Sequence, residues 1–131
     1  EDALARELGR HARFGHPVAL VFGDIDRFKQ INDRFGHAIG DEALKQVYAI
    51  LQRGSRTTDL VGRWGGEEFA IVLPNTGVIG ARAIAERLRA ALAAATFAHA
   101  APVTMSFGVA EAVAGEPWQG LVDRADRAMY E

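Results

Sequence analysis

Apolar residues recur along this chain at two spacings, and each change of spacing marks a new element. Residues 2–14 set Ala5, Leu8 and Ala12 on one side at helical intervals, and Gly15, His16 and Pro17 break that helix. Val18, Ala19, Leu20, Val21 and Phe22 then form an unbroken apolar run, the pattern of a strand covered on both faces. From Asp41 onward, Leu44, Val47, Tyr48 and Leu51 return at helical spacing and stop near Gly54. Residues 59–64 and 67–73 read as strands joined by Gly65-Gly66, a pair suited to the positive φ angles of a tight hairpin. Beyond Pro74, Ile84, Leu88 and Leu92 predict a second amphipathic helix. Val103, Met105, Phe107 and Val109 alternate with Thr104, Ser106 and Gly108, as a strand with one buried face does, and residues 123–130 predict a closing helix.

Strands and helices thus alternate, with one antiparallel hairpin midway. The expectation is an α/β (α+β) fold: a mixed central sheet of about five strands with helices packed around it. A length of 131 residues suits one domain over 1–131, and 49% hydrophobic residues supply one core. The alanine-rich stretch 90–101 is the only biased segment and reads as a helix end running into a loop; no repeat or linker is visible. The absence of cysteine excludes disulfides and thiolate metal sites and fits a reducing, cytoplasmic setting. No apolar run approaches the ~20 residues of a membrane span, so no membrane contact is expected of this domain, whatever anchors the parent protein. A net charge of −2 lacks the basic excess of a general nucleic-acid binder.

Two places carry candidate chemistry. Asp24 falls where the apolar run ends, so a buried strand delivers a carboxylate to the rim of the sheet, where α/β sheets place ligands. Carboxylates there suit Mg²⁺, a hard ion that shares its oxygen ligands with substrate phosphates. At Gly65-Gly66-Glu67-Glu68 a glycine pair lets backbone approach a ligand, and two acids follow at once. Successive strand residues face opposite ways, so Glu67 and Glu68 are expected to do different work. Taken singly, each also reads as an ordinary turn: an aspartate ending a strand, and a hairpin with solvated glutamates.

Their combined spacing says more. The stretch from Asp24-Ile25-Asp26 through Phe28-Lys29 and Asn32-Asp33, then Gly36-His37, Gly40-Asp41 and Arg63-Trp64-Gly65-Gly66-Glu67-Glu68-Phe69, resembles the GGDEF family of diguanylate cyclases in its GGEEF form. Further matches run through Val103-Thr104-Met105-Ser106-Phe107-Gly108-Val109 and Arg124-Ala125-Asp126-Arg127-Ala128-Met129-Tyr130. The resemblance implies an enzyme that joins two GTP into cyclic di-GMP and two pyrophosphates. It implies that Asp24, the Ile25 carbonyl and Glu67 bind Mg²⁺, with Mn²⁺ as a substitute. It also implies that Asn32 and Asp41 hold guanine with His37 nearby, and that Phe28, Lys29, Gly65 and Gly66 line the phosphates. Lys29 then stabilises transition-state charge and Glu68 takes the 3′-hydroxyl proton. Asp41 has a second reading as the cap of the following helix. Because one site holds one GTP, the mechanism implies a homodimer.

The same resemblance marks Arg56-Thr57-Thr58-Asp59 as an inhibitory RxxD site for the product, with Arg87 as its secondary arginine. An arginine can fork onto guanine O6 and N7 while an aspartate takes the opposite edge. The resemblance implies a domain truncated at both ends: the family's D-x-L-T turn is not recognisable around Glu1-Asp2-Ala3-Leu4, and its C-terminal lysine and arginine that contact phosphate would fall after Tyr130-Glu131. Two rival readings are a catalytically quiet cyclic di-GMP receptor, which would normally carry a damaged GGEEF, and a simple nucleotide-binding or interaction domain.

Overall fold

The computed structural model describes residues 5–6, 16–97, 102–113 and 115–129. The helix expected over 2–14 lies outside the described residues except for Ala5 and Arg6, which are helical, and Tyr130 lies outside them too. Among the described residues four strands make one sheet: β1 (Val18–Ile25), β2 (Leu60–Arg63), β3 (Glu68–Pro74) and β4 (Met105–Glu111), in the order β2-β3-β1-β4. Between them run α1 (Phe28–Phe35), α2 (His37–Arg53) and α3 (Val78–Ala94), and α4 (Trp118–Ala128) follows β4.

All three strand pairings are antiparallel. The expected mixed sheet of about five strands is therefore corrected, among the described residues, to an antiparallel sheet of four. The crossovers explain the difference. β1 and β2 run the same way, as do β3 and β4, as a helical connection demands. Yet β3 lies between the first pair and β1 between the second, so no two parallel strands are neighbours. Alternation along the sequence reveals strand direction; it does not reveal which strands touch.

The apolar run of β1 is explained by cover on both sides. Ala19, Val21 and Ile25 pack in one core with Val47 and Leu51 of α2 and Leu88 and Leu92 of α3. Val18, Leu20 and Phe22 pack in a second core with Leu121 and Ala125 of α4. Trp64 joins the hairpin to that second core, its ring 6.0 Å from Phe22 and 5.9 Å from Trp118, both edge-on.

Several boundaries move. α1 is a helix that periodicity does not announce, because Phe28 is its one buried side chain. α2 begins at His37, four residues before the expected Asp41, and α4 begins at Trp118, directly after Pro117 in extended conformation. β4 starts at Met105 and buries Ala110 on the α4 side, so both of its faces are partly covered and the expected single buried face is too simple. Among the described residues no helix is long and apolar enough to cross a membrane.

Candidate active site

β1 ends by setting Asp24 between two neighbours in ladder register, Glu68 on β3 and Ser106 on β4. Strand alternation puts Asp24 on the same side as Leu20 and Phe22, and its Oδ1 oxygen is sealed from solvent. One step further, the Ile25 amide donates to the Glu67 carbonyl at 3.1 Å. Asp24, Ile25, Glu67 and Glu68 are thus gathered at one rim of the sheet, as the sequence led us to expect. Asp26 turns toward β4: its Oδ2 accepts from the Thr104 hydroxyl at 2.8 Å, its Oδ1 from the Ser106 hydroxyl at 2.6 Å, and its amide donates to the Thr104 carbonyl at 2.9 Å.

The hairpin closes when the Trp64 amide donates to the Glu68 carbonyl at 2.8 Å. Arg63 ties the turn from its side, with Nε 3.1 Å from the Gly65 carbonyl and Nη2 2.7 Å from that of Gly66. Neither Gly65 nor Gly66 takes a positive φ, which corrects the expected hairpin geometry; among the described residues the positive-φ glycines are Gly36 and Gly115. A Cβ at Gly65 would lie 2.6 Å from Glu68 Oε1, so a larger residue there would push the Glu68 carboxylate aside. The Glu68 carboxylate folds back over the turn.

The chain then enters α1 through Arg27, a non-glycine residue at φ 56° and ψ 36°, and no side chain caps the helix. Phe28 is buried and anchors the first turn, while Lys29 is exposed. Asn32 and Asp41 lie on successive helices, and the Asn32 carboxamide occupies the space that a Cβ would need at buried Gly40, the residue before Asp41. Asp41 sits in the second turn of α2, whose N-cap is Gly36, so its reading as a helix cap is corrected. His37 is exposed in the first turn of α2.

From Asp41 a cleft of about 420 Å³ runs past Leu44, Lys45 and Tyr48 to Arg63 and Phe69. Sequence reasoning missed Lys45, Tyr48 and Arg63 as lining residues. The available signal was helical spacing from Asp41, which puts Leu44, Lys45 and Tyr48 on one side of α2.

Arg56, Asp59 and Arg87 lie elsewhere. Arg56 Nη2 donates to Asp59 Oδ1 at 2.8 Å, to the Thr76 hydroxyl at 2.8 Å and to the Pro74 carbonyl at 3.3 Å. Pro74 pairs with Val18, so this cluster sits at the start of β1 and Asp24 near its end, roughly 20 Å away at strand rise. The Asp59 side chain is 1% exposed and that of Arg56 46%. Their hydrogen bond raises the Arg56 pKa further, against the opposing effect of burial. Arg87 donates to the Gly54 carbonyl at 2.8 Å, beside the same loop.

Among the described residues no group of three or more histidines, cysteines, aspartates or glutamates is placed to hold a metal alone. Asp24, Glu67 and the Ile25 carbonyl offer hard oxygen donors only. That donor set fits an ion completing its shell with phosphate oxygens and does not fit one needing an all-protein cage.

The family model for the GGDEF domain of diguanylate cyclases matches residues 1–131, and this chain belongs to that family. It is 39% identical to diguanylate cyclase DgcP of Pseudomonas aeruginosa over 132 residues, covering 98% of this chain and 20% of that protein. The active GGEEF domain of a Vibrio cholerae diguanylate cyclase superposes with a TM-score of 0.88 at 34% identity, covering 98% of this chain and 84% of that one. The GGDEF domain of DgcB from Caulobacter crescentus, solved in complex with c-di-GMP, superposes at 0.89 with 30% identity, covering 98% and 79%. This chain therefore spans about a fifth of the length of its curated relative DgcP.

Proposed function

We propose that this domain is the catalytic unit of a diguanylate cyclase that condenses two GTP into cyclic di-GMP. The observation that carries the reading is the convergence of Asp24, Ile25, Glu67 and Glu68 at one rim of the sheet. Asp41 can accept from guanine N1 and N2, and the Asn32 carboxamide can serve the remaining groups. Lys29 and backbone amides at the start of α1 face the triphosphate, with Phe28 as the anchor of that turn and Gly65-Gly66 closing its far side. Mg²⁺, or Mn²⁺ in its place, would be held by Asp24, Glu67 and the Ile25 carbonyl and would offset charge on the phosphate oxygens.

The 3′-oxygen of one GTP attacks the α-phosphorus of the other. The bond from that phosphorus to the bridging oxygen breaks, pyrophosphate leaves with the electron pair, and Glu68 receives the hydroxyl proton. The mirror-image attack closes the ring. Each domain supplies one GTP, so two copies face one another, and a twofold arrangement repeats both attacks.

Arg56 and Asp59, with Arg87 beside them, are read as a product site that restrains the enzyme. DgcB in complex with c-di-GMP supports product binding by a domain of this fold. The test is incubation of the full-length protein with GTP and Mg²⁺. One cyclic di-GMP and two pyrophosphates per pair of GTP are expected, and consumption of GTP to any other nucleotide product overturns the reading.

A further inference from the structure

We propose that Ser106 and Thr104 are positioning residues for the substrate triphosphate, acting through Asp26. The inference rests on the GTP reading above and assigns work to three residues that reading leaves idle.

Asp26 is the second acid of Asp24-Ile25-Asp26, but both of its oxygens are taken up by hydroxyls of the β4 arm, at 2.8 Å from Thr104 and 2.6 Å from Ser106. Its amide adds a third bond, to the Thr104 carbonyl at 2.9 Å. An ionised carboxylate can only accept, and two hydroxyls donating to it make short, charge-assisted bonds. The next residue is Arg27, held at φ 56°, a conformation that L-residues with long side chains resist. Directly after it α1 opens with no capping side chain, so its first amides remain available to an anion. A turn that starts a helix through an unfavourable residue keeps that geometry only when its surroundings over-determine it. The clamp on Asp26 is that surrounding. It holds the turn between Asp24 and Phe28, and with it the direction of the Phe28 and Lys29 amides.

A merely structural bond would stabilise the fold equally with or without substrate. A positioning bond changes affinity for the phosphates selectively. In the full-length protein, the double variant Thr104→Val with Ser106→Ala is compared with wild type, Ser106→Thr and Asp24→Asn. Affinity for a non-hydrolysable GTP analogue with Mg²⁺ is measured by calorimetry, alongside KM for GTP and the melting midpoint. The expected result is about a tenfold or larger loss of analogue affinity and a matching rise in KM, the scale of one charge-assisted bond. Ser106→Thr, which keeps the hydroxyl, is expected to retain affinity. Should the double variant melt much earlier than wild type, Asp26→Asn carries the test, since it keeps the shape but leaves one oxygen to accept. Wild-type affinity and KM in the clamp variant would overturn the inference while leaving the GTP reading in place. Failure of the wild-type protein itself to bind the analogue would bring down both.

Discussion

Asp24 concentrates several constraints in one side chain. It ends a strand buried on both faces, lies opposite Glu68 and Ser106, and has one oxygen sealed from solvent. Replacing it with asparagine keeps the shape and removes the charge, so Asp24→Asn in the full-length protein is expected to cut cyclisation at least ~100-fold with little change in melting midpoint. Turnover at the wild-type rate would show that the carboxylate is not a ligand. Gly40 allows a second prediction. Its missing side chain is the space that Asn32 fills, so Gly40→Ala should displace the Asn32 carboxamide and raise KM for GTP by roughly five- to thirtyfold. Steady-state kinetics at saturating Mg²⁺ measure it, and an unchanged KM would remove Asn32 from the base site. At this scale the sequence is readable where chemistry is local: Asp24, Glu67 and Glu68 stand out as acids at strand ends. The partners of Asp26 are not readable, because the bonds join residues 78 and 80 positions apart.

Elements were legible in proportion to how much apolar surface they bury. β1, α2 and α3 carry continuous or periodic runs and were foreseen, whereas α1 buries one side chain and left no pattern. The start of α4 was missed because Trp118 and Leu121 are too few to set a period before the polar turn that follows. What fixes that helix is partly ionic. Arg124 donates from Nε to Glu116 Oε2 at 2.8 Å, and from Nη2 to Glu116 Oε1 at 2.7 Å and to the Glu111 carbonyl at 2.6 Å. One guanidinium thereby binds the end of β4, the loop and α4 together. The hydrogen bond from Arg124 holds the Glu116 carboxyl below its usual pKa. A depressed folded-state pKa contributes stability that is fully present above the unfolded value of about 4.3, and that is lost as pH falls through the folded one. Glu116→Gln should therefore cost about 1 kcal/mol at pH 7, with the gap from wild type closing in acid. Urea melts at neutral pH and near pH 3 check this; a gap of constant size would mean that the charge of Glu116 contributes nothing.

For the whole molecule, the two proposed ligand sites occupy opposite ends of β1, with Pro74 opposite Val18 and Glu68 opposite Asp24. Product affinity and initial rate should consequently be separable by mutation. Arg56→Ala alone is a poor probe, because it strands the buried Asp59 carboxylate. Arg56→Ala combined with Asp59→Asn avoids that cost. The pair is expected to lower cyclic di-GMP affinity by roughly 5- to 150-fold, the worth of one forked arginine–guanine contact, while leaving the initial cyclisation rate close to wild type. Calorimetry with cyclic di-GMP measures the first and pyrophosphate release the second. Unchanged affinity would reduce Arg56 to a structural ion pair. The overall architecture was only half legible: alternation predicted the crossovers, but neighbour order is settled by which faces the helices cover, and no single segment records that.

The interleaved strand order also governs how the domain comes together in time. Of the four strands β1 is synthesised first, yet its ladder partners β3 and β4 come much later in the chain, on either side of α3. Pairing so distant in sequence must close long loops before any ladder bond repays it, which slows folding relative to a chain of local contacts. Throughout that wait the apolar run from Val18 to Phe22 has two open edges and two uncovered faces, the condition in which strands recruit strands from other molecules. The strand that later carries a ladder on each edge is thus a segment in need of protection while the chain is being made.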